Sequence, residues 1–291
     1  MDFVIEVKQM PLPGQTILGK NFTLVPGGKG ANQAYAIGKL GTNTSMLGAV
    51  GNDEYGKKLL ENLNAVNVNT GCAFINVDET GENSIVVISG ANEKMTKELV
   101  DNNINLIENA DIIVMQLEIP VETVTYIAKI AKEKGKLVIL DPAPAIANLS
   151  SELLSNVDII KPNETEVQTL SGIQANSEDD IVRAAKSLLE KGANTVIVTL
   201  GKNGSLLVTK EKVQSFKSLD VQVVDTTAAG DSFTAALAKS LLEGNSIEKS
   251  IEFGHLVSSI VVTKKGAQTS IPNQAEIDTF LKEWSENKWR K

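Results

Sequence analysis

Val221-Gln-Val-Val-Asp225-Thr-Thr-Ala-Ala-Gly230-Asp231-Ser-Phe-Thr-Ala-Ala-Leu-Ala238 changes character twice within one short stretch. Its first residues are β-branched and alternating, the pattern of a strand. Small residues follow Asp225, and the Ala-rich end has the composition of a helix. A strand, a small-residue turn and a helix start together form an anion site. The first N–H groups of a helix lack internal partners and carry the positive end of its dipole. Ala228, Ala229 and Gly230 carry no bulk that would keep a phosphate or a developing oxyanion away from those groups. Asp231 stands at the helix mouth, where an ionised carboxylate could take a proton from a hydroxyl. The same residues also read as an N-capping Asp after an ordinary strand-to-helix turn.

Around this stretch the chain has 291 residues, 42% hydrophobic and 22% charged, enough to bury a full core. A net charge of −8 argues against non-specific binding to nucleic acid or acidic membranes. It does not argue against ATP, whose charge local amides and Mg²⁺ can meet. A single cysteine, Cys72, excludes an internal disulfide and a Cys-based zinc site, and fits a reducing compartment. With neither a signal-peptide pattern nor a long apolar run, the expectation is a cytoplasmic enzyme.

Taken in order, Phe3–Val7 reads as a strand, Met10 to Gly14 as an irregular connection and Thr16 to Leu24 as a second strand. Pro26-Gly-Gly-Lys-Gly-Ala-Asn32-Gln33 precedes a helix expected from Ala34 to Leu40. Its glycines let backbone approach a ligand closely, and Asn32 lies where its amide can face a polar small molecule. The Walker-A and Rossmann spacings are both absent. Thr44–Val50 reads as a buried strand and Lys57–Leu63 as a helix. Phe74–Val77 and Ser84–Ile88 read as strands around a hairpin turn at Asp78-Glu-Thr-Gly81. These short strands suggest a small β-sheet lid, drawn from about residues 2–24 and 70–90, on a single domain spanning 1–291.

From Asp111 the rhythm becomes regular. Apolar strands at 112–117, 137–140, 157–160, 195–199 and 219–224 alternate with helices, which indicates an α/β fold with a parallel sheet sandwiched by helices. Ligands bind such sheets beyond the carboxyl ends of the strands. Those ends read Gln116-Leu-Glu118, Asp141-Pro-Ala-Pro144, Lys161-Pro-Asn163, Thr199-Leu-Gly-Lys-Asn-Gly204 and Asp225 to Asp231. Glu166 follows Asn163 at a spacing that puts both on one helical turn, either as a Mg²⁺ partner or as a surface glutamate near a helix start. Gly201 and Gly204 would let a loop lie against a flat ring. His255, the only histidine, reads as a half-buried packing residue on an apolar helix, with ligand contact as the alternative. Trp284 and Trp289 read as packing or interface residues.

Pro26-Gly-Gly-Lys-Gly-Ala-Asn32-Gln33 and Asp225-Thr-Thr-Ala-Ala-Gly-Asp231 resemble the two signatures of the PfkB carbohydrate kinases. Gly90-Ala-Asn92, Asp141-Pro-Ala-Pro144 and Lys264-Lys-Gly-Ala-Gln-Thr-Ser270 resemble the branch of that family that acts on ribose. The resemblance runs from Asp2 nearly to the C-terminus. It implies a parallel α/β sandwich with a β-sheet lid that forms a homodimer interface, and transfer of the ATP γ-phosphoryl group to O5 of D-ribose. In that pattern Asp231 is the general base, and Ala228, Ala229, Gly230 and Asp231 form the anion hole. Asp2, Gly28, Lys29, Gly30, Ala31, Asn32, Glu118 and Asp231 match sugar positions. Asn163, Thr199, Leu200, Gly201, Lys202, Asn203, Gly204, Gly230, Asp231 and His255 match nucleotide positions. Glu166 matches the acidic residue tied to Mg²⁺, through water. Asp225, Thr227, Val261, Lys264, Gly266 and Ser270 match the loops around a monovalent cation, usually K⁺.

Members of the ribose-acting branch usually open with an apolar strand leading to a Gly-Ser-x-Asn-x-Asp turn, whereas this chain opens at Met1-Asp2. The expectation is therefore that the first core strand is missing and that Asp2 sits on a fraying end. Alternatives to a ribose kinase are a kinase for another furanose or a nucleoside, and a truncated chain with impaired catalysis. Polar Lys29, Asn32 and Glu118 favour a free sugar, because a nucleoside needs an apolar slot for its base.

Overall fold

The computed structural model describes residues 1–62, 66–67, 72–77 and 83–288. Strands β1 (Asp2–Glu6) and β2 (Asn21–Val25) open the chain as an antiparallel pair with Phe3 opposite Leu24. Helix α1 spans Lys29–Lys39, so it starts five residues before the expected Ala34 and takes in part of the glycine-rich turn. Gly28 is its N-cap at φ 93°, a left-handed conformation that favours glycine. Next come β3 (Ala49–Val50), α2 (Glu54–Asn62), β4 (Val66–Asn67), β5 (Cys72–Val77) and β6 (Asn83–Ile88).

These strands form a four-stranded sheet in the order β2-β1-β5-β6, with β1 and β5 parallel and the outer pairs antiparallel. The expected Asp78–Gly81 turn lies outside the described residues. The expected Thr44–Val50 strand is reduced to β3, which pairs with β4 in a parallel two-stranded sheet. The Thr44 hydroxyl donates to the Thr42 carbonyl at 2.9 Å, a local bond that competes with a strand ladder. Asp2 does not fray: it is 7% exposed, in register with Val25 and Ala73.

The chain continues through α3 (Lys97–Asp101), α4 (Ile104–Asn109), β7 (Ile112–Gln116), α5 (Val121–Glu133) and β8 (Leu137–Asp141). It then forms α6 (Ser151–Ser155), β9 (Ile159–Ile160), α7 (Glu164–Ser171), α8 (Glu178–Glu190), β10 (Thr195–Thr199), β11 (Ser205–Val208) and β12 (Val213–Phe216). Helices α9 (Ala229–Leu242), α10 (Ile247–Val261) and α11 (Gln274–Lys288) complete it.

The second sheet runs β12-β11-β10-β9-β8-β7 and is mixed. Strands β7 to β10 are parallel, as the alternation with helices requires, while β11 and β12 are antiparallel. Only Leu200–Gly204 joins β10 to β11, and a parallel return needs a crossover of a dozen residues or more. The expected strand at 219–224 is absent. The Val224 and Asp225 N–H groups instead donate to the Val262 carbonyl at 2.7 and 3.2 Å, and Val223 and Val224 are exposed. The alternation of that segment thus mimics a strand without a ladder to join.

The chain divides into two compact units. The first takes Met1–Lys94, Gln222–Asp231 and Ile260–Lys291, and the second takes Met95–Val221 and Ser232–Ser259. In the second unit Ile139, Ile159, Ile197 and Leu207 from the sheet pack with Phe233, Leu237 and Ile251 from α9 and α10. Close packing of those helices depends on Gly254, where an added Cβ would lie 2.9 Å from the Phe233 ring.

His255 follows Gly254 and is buried. Its Nε2 shares a 2.8 Å hydrogen bond with Ser205 Oγ, and its ring packs edge-on against Phe233 at 5.1 Å. Burial lowers its pKa from the ordinary 6.5 to about 4. The fold therefore holds neutral imidazole, and this contribution is present above pH 6.5 and lost as pH falls through about 4. At about 1.4 kcal/mol per pKa unit, the loss is on the order of 3 kcal/mol. Urea unfolding of wild type and His255→Gln across this range is expected to show a shallower acid limb in the variant; parallel limbs would refute the burial argument.

Candidate active site

Asp231 lies in the first turn of α9 and is 5% exposed. Its side chain does not cap the helix. Asn32 Nδ2 donates to Oδ2 at 2.9 Å, and Gln33 Nε2 donates to Oδ1 at 3.2 Å. Gln268 Nε2 donates to Asn32 Oδ1 at 3.4 Å. The N-terminus of α1 and the loop after α10 thereby meet at one carboxylate within the first unit. Gln33 and Gln268 received no role from the sequence. Gln33 ends the glycine-rich motif and Gln268 lies inside the Lys264–Ser270 motif, but no local pattern shows that either points at the Asp231 group.

Asp2 belongs to the same unit. A Cβ on Gly27 would overlap its carboxylate, so the backbone approaches Asp2 as closely as only glycine permits. Burial raises the Asp2 carboxyl above its ordinary value; the positive chain terminus opposes this and the Asp231 charge adds to it. Gly30 and Ala31 lie in the first turn of α1 behind the Gly28 cap, and Lys29 begins the helix.

The turn before α9 is strained. Ala228 adopts φ 60°, left-handed backbone for a residue with a Cβ, just ahead of Ala229 and Gly230 at the helix start. Asp225 ties this turn to the loop after α10. Its Oδ1 accepts from the Thr227 N–H at 2.9 Å and hydroxyl at 2.6 Å, and its Oδ2 accepts from the Gly266 N–H at 2.9 Å. Of the residues expected around a monovalent cation, Asp225, Thr227 and Gly266 are therefore joined directly. The Val261 carbonyl accepts from the Lys264 N–H, the Lys264 ammonium pairs with Glu276 at 2.7 Å, and the Ser270 hydroxyl donates to Ala267. Carboxylate, hydroxyl and carbonyl oxygens are the donors a hard cation takes.

The expected nucleotide residues lie in the second unit. Asn163 and Glu166 form a reciprocal capping box on α7. The Asn163 side chain accepts from the Glu166 N–H at 2.8 Å, and Glu166 Oε2 accepts from the Asn163 N–H at 2.7 Å. Asn163 also bridges in parallel to Thr199, whose N–H donates to the Pro162 carbonyl at 3.0 Å. The strand ends bearing Asn163 and Thr199 are thus brought together. After Thr199 the chain makes a single 3₁₀ turn at Gly201–Asn203, closed by a 2.8 Å bond from the Leu200 N–H to the Gly204 carbonyl. A Cβ on Gly204 would overlap the Phe216 carbonyl, which explains that glycine. His255 is enclosed beside Ser205 at the end of this turn.

Glu118 is half-buried just past β7. Asp141, at the end of β8, pairs with Lys161 at 3.2 Å with both side chains buried. Asp141 also accepts from the Thr234 hydroxyl on α9 at 3.5 Å.

The pfkB family carbohydrate kinase pattern matches residues 1–274. The chain belongs to the pfkB family of carbohydrate kinases. Within that family it is 42% identical over 291 residues to a ribokinase of Haemophilus influenzae, covering 96% of this chain and 95% of the relative. A deoxyribokinase of Salmonella typhi is 34% identical over 292 residues, covering 97% and 95%. Among solved structures, an Arabidopsis thaliana ribokinase complexed with ribose and ATP superposes with a TM-score of 0.86 at 36% identity, covering 97% and 95%. The two motifs read from the sequence as PfkB signatures are those around Asn32 and Asp231, which the fold brings into hydrogen-bond contact.

Two outcomes follow from this geometry. A raised carboxyl pKa means that ionising Asp2 costs stability: the benefit of the protonated form is complete below the ordinary 3.8 and lost as pH rises through the folded value. Asp2→Asn is therefore expected to raise the melting temperature near neutral pH (~7) and leave it nearly unchanged near pH ~3; an equal rise at both would show that charge is not the cause. Ala228→Gly is expected to stabilise the protein by up to about 1 kcal/mol, because left-handed backbone costs Ala about 1–2 kcal/mol and glycine returns part of that as unfolded-state entropy. Chemical denaturation measures this, and a destabilised variant would show that Ala228 is unstrained.

Proposed function

We propose that this chain catalyses ATP-dependent phosphorylation of D-ribose at O5, giving D-ribose 5-phosphate and ADP, with Asp231 as general base. The observation that carries the mechanism is the buried Asp231 carboxylate, oriented by two amides at the mouth of a helix. The substrate follows from likeness to ribokinases over nearly the whole chain, one of them solved with ribose and ATP.

Each residue then has a defined task. Asp231 accepts the proton from O5 as that oxygen bonds to the γ-phosphorus and the bond to the ADP bridging oxygen breaks. The start of α9 at Ala228–Asp231 sets the positive end of the helix against the charge spread over the equatorial phosphoryl oxygens, while the Ala229 N–H itself donates to the Thr226 carbonyl at 3.2 Å. Asp2, Gly28, Lys29, Gly30, Ala31, Asn32 and Glu118 hold sugar hydroxyls. Asn163, the Thr199–Gly204 turn, Gly230 and His255 hold the nucleotide, the last by keeping Ser205 and the turn in place.

Mg²⁺ would be held at Glu166 through water, and K⁺ by Asp225, Thr227, Val261, Lys264, Gly266 and Ser270, several through carbonyls. When bound, these ions neutralise phosphate charge and stiffen the donor loops. We assign the four-stranded sheet as the lid, and its exposed Phe22 and Leu24 favour a homodimer through that face. No described helix is long and apolar enough to cross a membrane, and dependence on ATP favours the cytoplasm.

Likeness to a deoxyribokinase makes 2-deoxyribose the second substrate to weigh. ADP release measured with ribose, 2-deoxyribose, fructose and adenosine decides between them. The expected order places ribose first, and faster turnover of any other acceptor would reassign the substrate. Asp231→Asn is expected to lower turnover about 10²–10⁴-fold while ribose and ATP affinities by calorimetry stay within a few-fold. A variant keeping more than roughly a tenth of wild-type turnover would end the assignment of the base.

A further inference from the structure

Two buried amides outside the expected site sets bear on the Asp231 carboxylate. Gln33 is 1% exposed and donates to Oδ1; Gln268 is 7% exposed and donates to Asn32, which donates to Oδ2. We infer that Gln33 and Gln268 are positioning residues for phosphoryl transfer, Gln33 holding one oxygen of the base directly and Gln268 holding the other through Asn32.

Two donors restrict the Asp231 side chain in a way that one cannot. An Asp carboxylate turns about its last torsion in a broad, roughly two-fold well. A single donor fixes one oxygen and leaves the plane free to rock, whereas donors on separate oxygens fix the plane. Neighbouring helix residues do not face the same way. Asn32 and Gln33 nevertheless reach one carboxylate, because the extra methylene of Gln33 lets its longer arm reach the second oxygen. Each oxygen keeps lone-pair capacity for a substrate hydroxyl, in a plane already set.

Gln268 acts on a second uncertainty, the direction of the Asn32 amide. An ionised carboxylate accepts only, so Asn32 must turn its NH₂ toward Asp231 and its carbonyl oxygen away. That buried oxygen then needs a donor, which Gln268 supplies. Asn32 retains one N–H and one lone pair for a sugar hydroxyl. Gln268 lies two residues beyond Gly266, which Asp225 holds, so the loop after α10 is anchored both at the turn before α9 and at the base.

This inference rests on the reading of Asp231 as base, and the test separates the two. Gln33→Met keeps the volume and removes the donor; Gln33→Asn keeps the amide but is one methylene short. Both are expected to lower kcat about 10–100-fold, the cost of a misplaced reacting group, with KM for ribose and ATP within about 3-fold. Gln268→Met is expected to lower kcat less and raise the ribose KM, since Asn32 also serves the sugar. In an Asp231→Asn background, Gln33→Met should cause no further loss, whereas a residue that only supports the fold would lower turnover equally in both backgrounds. Should Asp231→Asn be inactive while both Gln33 variants turn over within about 2-fold of wild type, a loss well short of that for a misplaced group, the inference fails and the assigned base stands. Should Asp231→Asn stay active, the functional reading fails first.

Discussion

The Asp231 carboxylate accepts hydrogen bonds from Asn32 and Gln33, and the architecture of the first unit is arranged around that junction. Removing a carboxylate from water is costly unless hydrogen bonds replace the lost solvation. Here two amides replace it, and because they belong to α1 the helix cannot shift without exposing an unsatisfied charge. Asp231 in turn fixes the start of α9, and Gln268 brings in the loop after α10. One anionic group thus sets the positions of three segments distant in sequence.

Stability and chemistry pull against each other in this unit. Asp2 is buried as a carboxyl with a raised pKa, held so close to the backbone that a side chain on Gly27 would have to displace it. Ala228 holds a left-handed conformation that a glycine would adopt freely. Both cost the fold energy, and both stand beside the residues proposed to bind sugar and phosphate. Strain concentrated at a site and supported by surrounding packing is the usual cost of preorganised donors and acceptors.

The second unit solves a different problem. Of its parallel strands β8, β9 and β10 are largely buried and β7 is mostly half-buried; all are apolar, and their carboxyl ends carry the polar groups. The Asn163–Glu166 capping box makes two of these groups satisfy each other's backbone, so α7 starts at a defined residue. Asp141 and Lys161 form a buried ion pair, which adds little net stability but defines the relation of two strand ends and, through Thr234, of α9.

Much of this was legible in the sequence because it is local. The alternation of apolar strands with helices, the small-residue turn before Asp231 and the glycine-rich approach to Asn32 are written in consecutive residues, and they determined the α/β class, the family and the candidate base. Three things were decided only in three dimensions. The segment at 219–224 has a strand's alternation, but its backbone bonds to Val262, and no local pattern tells where a carbonyl partner will be. The β10–β11 hairpin makes the sheet mixed because the turn after β10 is too short for a crossover. Gln33 and Gln268 gain their meaning from partners 198 and 236 residues away, and hydrogen bonds of that range exist only once the helices have packed.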